Sequence, residues 1–255
     1  MSTPVTPEIG APENPQLGLS EIQRIFNMFS APTQTFMDIK KNASWWAPFL
    51  ILAILSATFV TFIGQKITWD QVVDNQYSAM SEKQKDQIAQ LTSEQQAKQR
   101  NLILLNFKYG SYFYPVVFLI IVLIIAALNM ATMNFGFGAD IAYKQALAVS
   151  WYAGVPRALF SILAIIMIFV IKDPSNFNMQ NPVVTNLAVL TSQSQHPVLY
   201  SALSFFDIFA LWSCYLTGLG LATVSGKKNS VGLTVSFGWY ILAMLVAVGF
   251  KFITA

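Results

Sequence analysis

Five long apolar stretches dominate the chain, at about Trp45–Ile63, Tyr112–Met133, Tyr143–Ile171, Leu199–Thr223 and Val231–Phe252, with polar segments between them. A helix of roughly 20 residues crosses the hydrocarbon of a bilayer, so each stretch is long enough to span. Trp45, Trp46, Tyr112, Tyr114 and Tyr200 stand at stretch ends, where interfacial aromatics belong. The third stretch is longer than a span requires and carries Pro156 near its centre. A proline there removes a helix hydrogen bond, so a kinked or tilted span is expected. The pattern predicts an all-α membrane protein, a five-transmembrane-helix bundle with a helical extramembrane cap from the first loop.

The polar segments divide the remainder. Residues 1–18 hold Pro4, Pro7, Pro12 and Pro15 with few apolar side chains, the composition of a disordered tail. No basic region followed by a short apolar core is present there, so no cleavable signal is expected. Residues 19–44 predict two juxtamembrane amphipathic helices. Ser20-Glu-Ile-Gln23 is a capping box, followed by Ile22, Ile25, Phe26 and Phe29 on one side. Pro32 suits the first position of a second helix that runs to Lys41 and carries Phe36, Met37 and Ile39. Such a pair either lies along the membrane surface or packs on the ends of the spans.

Residues 45–255 form the membrane domain, and 65–111 is its outer helical loop. Thr68-Trp-Asp-Gln71 and Ser81-Glu-Lys-Gln84 repeat the capping signature, and the segment from Glu94 runs through Leu102–Leu105 into the second span. A Gln- and Lys-rich cap of this kind is either a partner platform or, more commonly, a solvated connector. In the next outer loop, Asn181-Pro182 has the form of an N-cap and first helical residue, so an interfacial or re-entrant helix is expected from there to Leu190.

Composition agrees with the pattern. Of 255 residues 55% are hydrophobic and 11% charged, with mean hydropathy +0.51, whereas soluble domains run near about 25% charged. The net charge of +3 is too mild for nucleic acid binding. Arg24, Lys40, Lys41, Lys144, Lys227 and Lys228 fall on the side of the N-terminus, against Lys172 and Lys251 in the compact opposite segments. The first loop is discounted because its basic residues are offset by acids within a folded element. The bias puts the N-terminus in the cytoplasm and the C-terminus outside.

Familiar catalytic constellations are missing. The single His196 forbids a paired-histidine zinc site, and the single Cys214 forbids a disulfide or a Cys-based zinc site. No enzymatic activity, cofactor or metal is therefore expected. Two charges lie deep in apolar stretches, Arg157 and Asp207, and a charge in lipid must face the protein interior and find a partner or a function. With Asn129 and Asn134 they form a candidate intramembrane polar site. The favoured reading is a structural ion pair between Arg157 and Asp207 that fixes helix packing. The alternative is a relay or the lining of a transport pathway. Gly218 and Ala222 make a small-residue face that Gly232 answers from the last span, a pattern for close helix packing.

The ordered segments Ala31-Pro32-x-x-x-Phe36, Lys144-Gln-Ala-Leu-Ala-Val-x-x-Tyr152-x-x-x-Pro156, Lys172-Asp-Pro174, Asn181-Pro-x-x-x-Asn186 and Phe206-Asp207-Ile-Phe-x-Leu-Trp212 with Gly218 carry a resemblance. Together they resemble the bacterial branch of the YIP family (Ypt-interacting-protein-like), over nearly the whole chain from about residue 28. The resemblance implies five transmembrane helices and a cytoplasmic N-terminus. Eukaryotic relatives act in vesicle traffic and bind small Rab-type GTPases. The Asp-Leu-Tyr-Gly-Pro motif common in those relatives is absent here, which weighs against GTPase binding. The expected role is a scaffold or accessory factor in membrane organisation or transport, in a bacterial cytoplasmic membrane. Its partners would be the bilayer and a membrane protein or a second copy of itself. A small-molecule or ion transporter using the Arg157/Asp207 region is the competing expectation.

Overall fold

The computed structural model describes residues 18–254 of the chain, so the segment expected to be a disordered tail lies almost wholly outside the described residues. Twelve α-helices follow one another: α1 (Glu21–Ser30), α2 (Pro32–Lys41), α3 (Trp46–Lys66), α4 (Trp69–Ser78), α5 (Glu82–Ala89), α6 (Ser93–Leu105), α7 (Tyr114–Ala131), α8 (Tyr143–Ala153), α9 (Pro156–Val170), α10 (Pro197–Ser204), α11 (Ile208–Ser225) and α12 (Asn229–Thr254). No strand occurs among the described residues.

Five helical segments are long and apolar enough to cross a membrane: Trp46–Lys66, Ser93–Gly136, Tyr143–Val170, Ile208–Ser225 and Asn229–Thr254. The second runs unbroken for 44 residues, roughly 66 Å at 1.5 Å per residue, so more than half of it stands outside the hydrocarbon. The third is split where Gly154 and Val155 leave the α8 helix and Pro156 opens α9. Proline placed at the first turn loses no helical hydrogen bond, so the break falls just before it rather than at it.

The fourth span corrects the expectation of one helix over Leu199–Thr223. α10 ends at Ser204, and α11 starts afresh at Ile208 with Asp207 as its N-cap, accepting a hydrogen bond from the Ala210 N–H at 2.9 Å. α11 then crosses α12 at van der Waals limits. A Cβ on Gly218 would come within 2.8 Å of Leu233 Cα, and one on Gly232 would overlap the Gly218 carbonyl oxygen. Ser236 Oγ donates to the Cys214 carbonyl at 2.7 Å one turn away. Small residues at such a seam let backbones approach where lipid supplies no hydrophobic drive.

At the end that carries the N-terminal helices, α1 and α2 dock onto α8 and α11. Met28, Phe36 and Ile39 are buried, and Gly220 makes room for Phe36 and Val149, which a Cβ there would meet at 2.8 and 2.6 Å. The opposite side of α1 leaves Ile22 and Phe26 exposed. Packing on the spans and an outward apolar stripe therefore coexist on one short helix.

The opposite face is roofed by α4, α5 and α6 together with residues 172–196. Val72 joins Ile63, Ile67, Ile168 and Phe177 in a second small core. Arg100 bonds Asp74 at 2.6 Å and Asp70 at 3.2 Å, holding α4 to α6. Asn75 Nδ2 donates to the carbonyls of Pro174 and Phe177 at 2.8 and 2.7 Å, tying α4 to residues 174–177. The helix expected from Pro182 is not formed. Residues 181–186 form no helix and bend at Asn181 and Val183, and only a 3₁₀ turn, Leu187–Leu190, follows, capped by Asn186 at 3.1 Å from the Ala188 N–H. The Asn181 side chain is instead occupied by Asn186, whose Nδ2 donates to it at 3.0 Å.

Candidate functional site

The half of the bundle away from the N-terminal helices holds a partly open cavity of about 860 Å³ between α3, α7, α9 and the start of α11. The volume lies in the range of small-molecule sites. Its lower walls are apolar: Phe49, Leu52, Phe118, Phe160 and Ala164 line it. Trp151 packs at the base, stacked on Trp45 at 6.2 Å and met edge-on by Phe49 at 5.1 Å and Phe118 at 5.7 Å between ring centroids. These rings lie toward the N-terminal helices, beside Trp45 at the start of α3.

A polar collar rims the other end. Asn186 faces Asp207 across an isolated antiparallel bridge, and the Ile208 N–H donates to the Thr185 carbonyl at 3.1 Å. The Thr185 hydroxyl donates to the Asp207 carboxylate. Asn181 Nδ2 reaches Tyr200 Oη at 3.4 Å. The residues of the Asn181-Pro-x-x-x-Asn186 and Asp207 motifs thus meet in space, because Thr185 and Asn186 pair with the α11 cap.

Arg157 and Asp207 both line this cavity, but at different depths. Arg157 sits midway along the 28-residue third span, while Asp207 caps the N-terminal end of the 18-residue fourth. Among the described residues the ion pairs are Arg24 with Glu21 and Asp38, Lys85 with Glu82, and Arg100 with Asp70 and Asp74. The expected Arg157–Asp207 ion pair is not among them. Asp207 already accepts from Thr185 and Ala210, and the Arg157 guanidinium lies over the Phe118 ring, 5.7 Å from its centroid. The helix break at 204–207 causes the separation, since it places Asp207 at the rim rather than inside a span.

The other two candidates are elsewhere. Asn129 is buried on α7. Asn134 pins the turn after α7, donating to the Ile141 carbonyl at 3.0 Å and accepting from the Ile141 N–H at 2.9 Å. Neither lines the cavity. Among the described residues no three His, Cys, Asp or Glu side chains come together as metal ligands would.

A second charged centre sits outside the spans and was not expected. Arg24 on α1 is 1% exposed. Its Nε donates to Asp38 at 2.7 Å, Nη2 lies 2.6 Å from the same carboxylate and 3.0 Å from the Asn42 carbonyl, and Nη1 lies 3.5 Å from Glu21. The Tyr152 ring packs under the guanidinium at 5.9 Å, and its hydroxyl donates to Glu21. Burial alone would lower the Arg24 pKa, but the hydrogen bonds and charge supplied by Asp38 carry it above the ordinary arginine value. The available signal was spacing: Arg24 and Met28 share the face of α1 opposite Ile22 and Phe26.

Helical membrane spanning with a broken third helix, a capped fourth and a roofed cavity defines a polytopic α-helical membrane protein. The family model described as Yip1 domain matches residues 26–250, and the chain belongs to the Yip1 domain family. The match begins within α1 and ends within α12, so the docked N-terminal helix pair is largely inside the family unit. Comparison with curated proteins returns no match, and comparison with solved structures returns none.

Proposed function

We propose that the protein is a non-enzymatic accessory membrane protein that admits a small ligand from the outer face into the cavity above Trp151 and does not form a through-channel. The observation that carries this reading is the 860 Å³ cavity holding Arg157 midway along the third span. A charge at that depth is costly unless it serves packing or a ligand, and no carboxylate among the described residues packs against it. The ring cluster below, followed by the close seams of α8, α11 and α12, leaves no opening toward the N-terminal helices among the lining residues. In the proposed topology the N-terminal helices lie in the cytoplasm of a bacterial cell. The basic residues Lys40, Lys41, Lys144, Lys227 and Lys228 on that side support it.

Cysteine labelling tests the reading. Ser161 lines the cavity, and Ser161→Cys in a Cys214→Ser background gives a single thiol. In sealed vesicles a membrane-impermeant maleimide is expected to label it from the outer face only. Labelling from both faces would mean a channel. No labelling from either face, with full labelling after unfolding, would return the protein to a packed scaffold.

A further inference from the structure

Resting on the cavity reading above, we propose that its ligand is an organic anion with an apolar body, the anionic group pairing with Arg157 and the body lying against Phe49, Leu52, Phe160 and Ala164. Three observations meet here. First, the Arg157 side chain has no hydrogen-bond acceptor and no ion-pair partner among the described residues, only the face of Phe118. A guanidinium carries five N–H donors and cannot be neutralised by deprotonation, so in a low-dielectric wall it needs an acceptor from outside the chain. Second, the one carboxylate lining the cavity, Asp207, is held at the rim by the Thr185 hydroxyl and the Ala210 N–H. It therefore guards the mouth and does not neutralise Arg157. Third, Trp151, 1% exposed at the cavity base, has an indole N–H with no partner among the described residues. Trp151 and Arg157 both pack on the same Phe118 ring. An unsatisfied buried donor such as the Trp151 N–H is rare in folded proteins, and beside the half-buried, unpaired Arg157 it marks a place where acceptors are missing. The intervening wall is aromatic and aliphatic, which calls for an apolar body rather than a bare inorganic anion.

Thermal unfolding of the purified full-length protein in a neutral detergent tests this. The additives are laurate, dodecyl phosphate, dodecanol, dodecyltrimethylammonium and inorganic phosphate. Saturable stabilisation by laurate or by dodecyl phosphate is expected, and which of the two acts assigns a carboxylate or a phosphate head. Arg157→Gln should weaken the apparent affinity at least tenfold, Arg157→Lys should retain saturation, and Trp151→Phe should weaken it several-fold. Equal stabilisation by dodecanol or by the cationic amphiphile would overturn the anion assignment. Equal stabilisation by inorganic phosphate would overturn the apolar body. Should Arg157→Gln not fold, the lysine variant and the neutral and cationic chains still decide. Absence of any shift, with Ser161→Cys still labelled from outside, would reject the ligand class and leave the cavity reading standing.

Discussion

Two arginines in this protein have opposite surroundings. Arg24 lies outside the spans, almost completely buried, with Asp38 on two of its nitrogens, Glu21 near the third and a tyrosine ring beneath. Arg157 lies midway along a span, half-buried, with an aromatic face and no carboxylate. Desolvation is most expensive where water is scarcest, so stability alone would favour the reverse arrangement. The difference teaches which arginine serves the fold. Arg24 closes a clasp between α1, α2 and α8, whereas Arg157 is a charge whose partner the described residues do not provide.

The comparison yields predictions of decreasing size. Asp38→Ala leaves Arg24 charged and buried, which in known buried pairs costs about 3–5 kcal/mol. Early release of α1 and α2, measured by protease nicking and a lower unfolding temperature, is the expected outcome. Arg157→Gln should change stability by less than about 1 kcal/mol, because no native ion pair is lost. An unfolding shift as large as that of Asp38→Ala would make Arg157 part of the scaffold.

The α11–α12 seam comes next. Gly232→Ala drives a methyl group into the Gly218 carbonyl, and overpacking of this kind costs typically about 1–3 kcal/mol. Gly238, where a Cβ meets nothing within 4 Å, is the matched control and should tolerate alanine. On the opposite face, Asn75→Ala removes the two bonds from Asn75 to the carbonyls of Pro174 and Phe177, a loss of roughly 1–3 kcal/mol at about 1 kcal/mol for each net hydrogen bond. Faster hydrogen exchange in residues 174–181 with the spans unchanged is the readout. Asp173 gives the smallest effect. Hydrogen bonds from Ser175 hold its carboxyl below the ordinary value of 3.8. The folded pKa is depressed, so its contribution is present above the unfolded value and lost as pH falls through the folded one. Asp173→Asn should remove only that acid limb from a plot of unfolding temperature against pH.

Much of the architecture was legible in the chain. The five spans follow from apolar runs of sufficient length, and Ser20, Thr68 and Ser81 announce helix starts that the structure keeps, each accepting from the backbone N–H three residues on. The fourth span misled because Leu199 to Phe206 is apolar up to the cap. What ends α10 and restarts the chain as α11 is a non-local contact with Thr185 and Asn186, and no window of hydropathy contains that information. Asn181 misled for a related reason. Its Asn-Pro form fits a helix start, but Asn186 and Tyr200 occupy its side chain from elsewhere in the loop. The charges Arg157 and Asp207 stand out in the sequence, yet depth along two separate helices decides whether they touch. The cavity itself is the space left among four elements and has no local signature.

The contrast between the two arginines is tested most directly by double-mutant cycles on both pairs, with free energies of unfolding measured in the same detergent. Arg24→Gln with Asp38→Asn should give a coupling energy of about 2 kcal/mol or more, and Arg157→Gln with Asp207→Asn less than about 0.5 kcal/mol, within the additivity of independent sites. A coupling of several kcal/mol between Arg157 and Asp207 would contradict this account, for it would show that the charge in the span already has its partner.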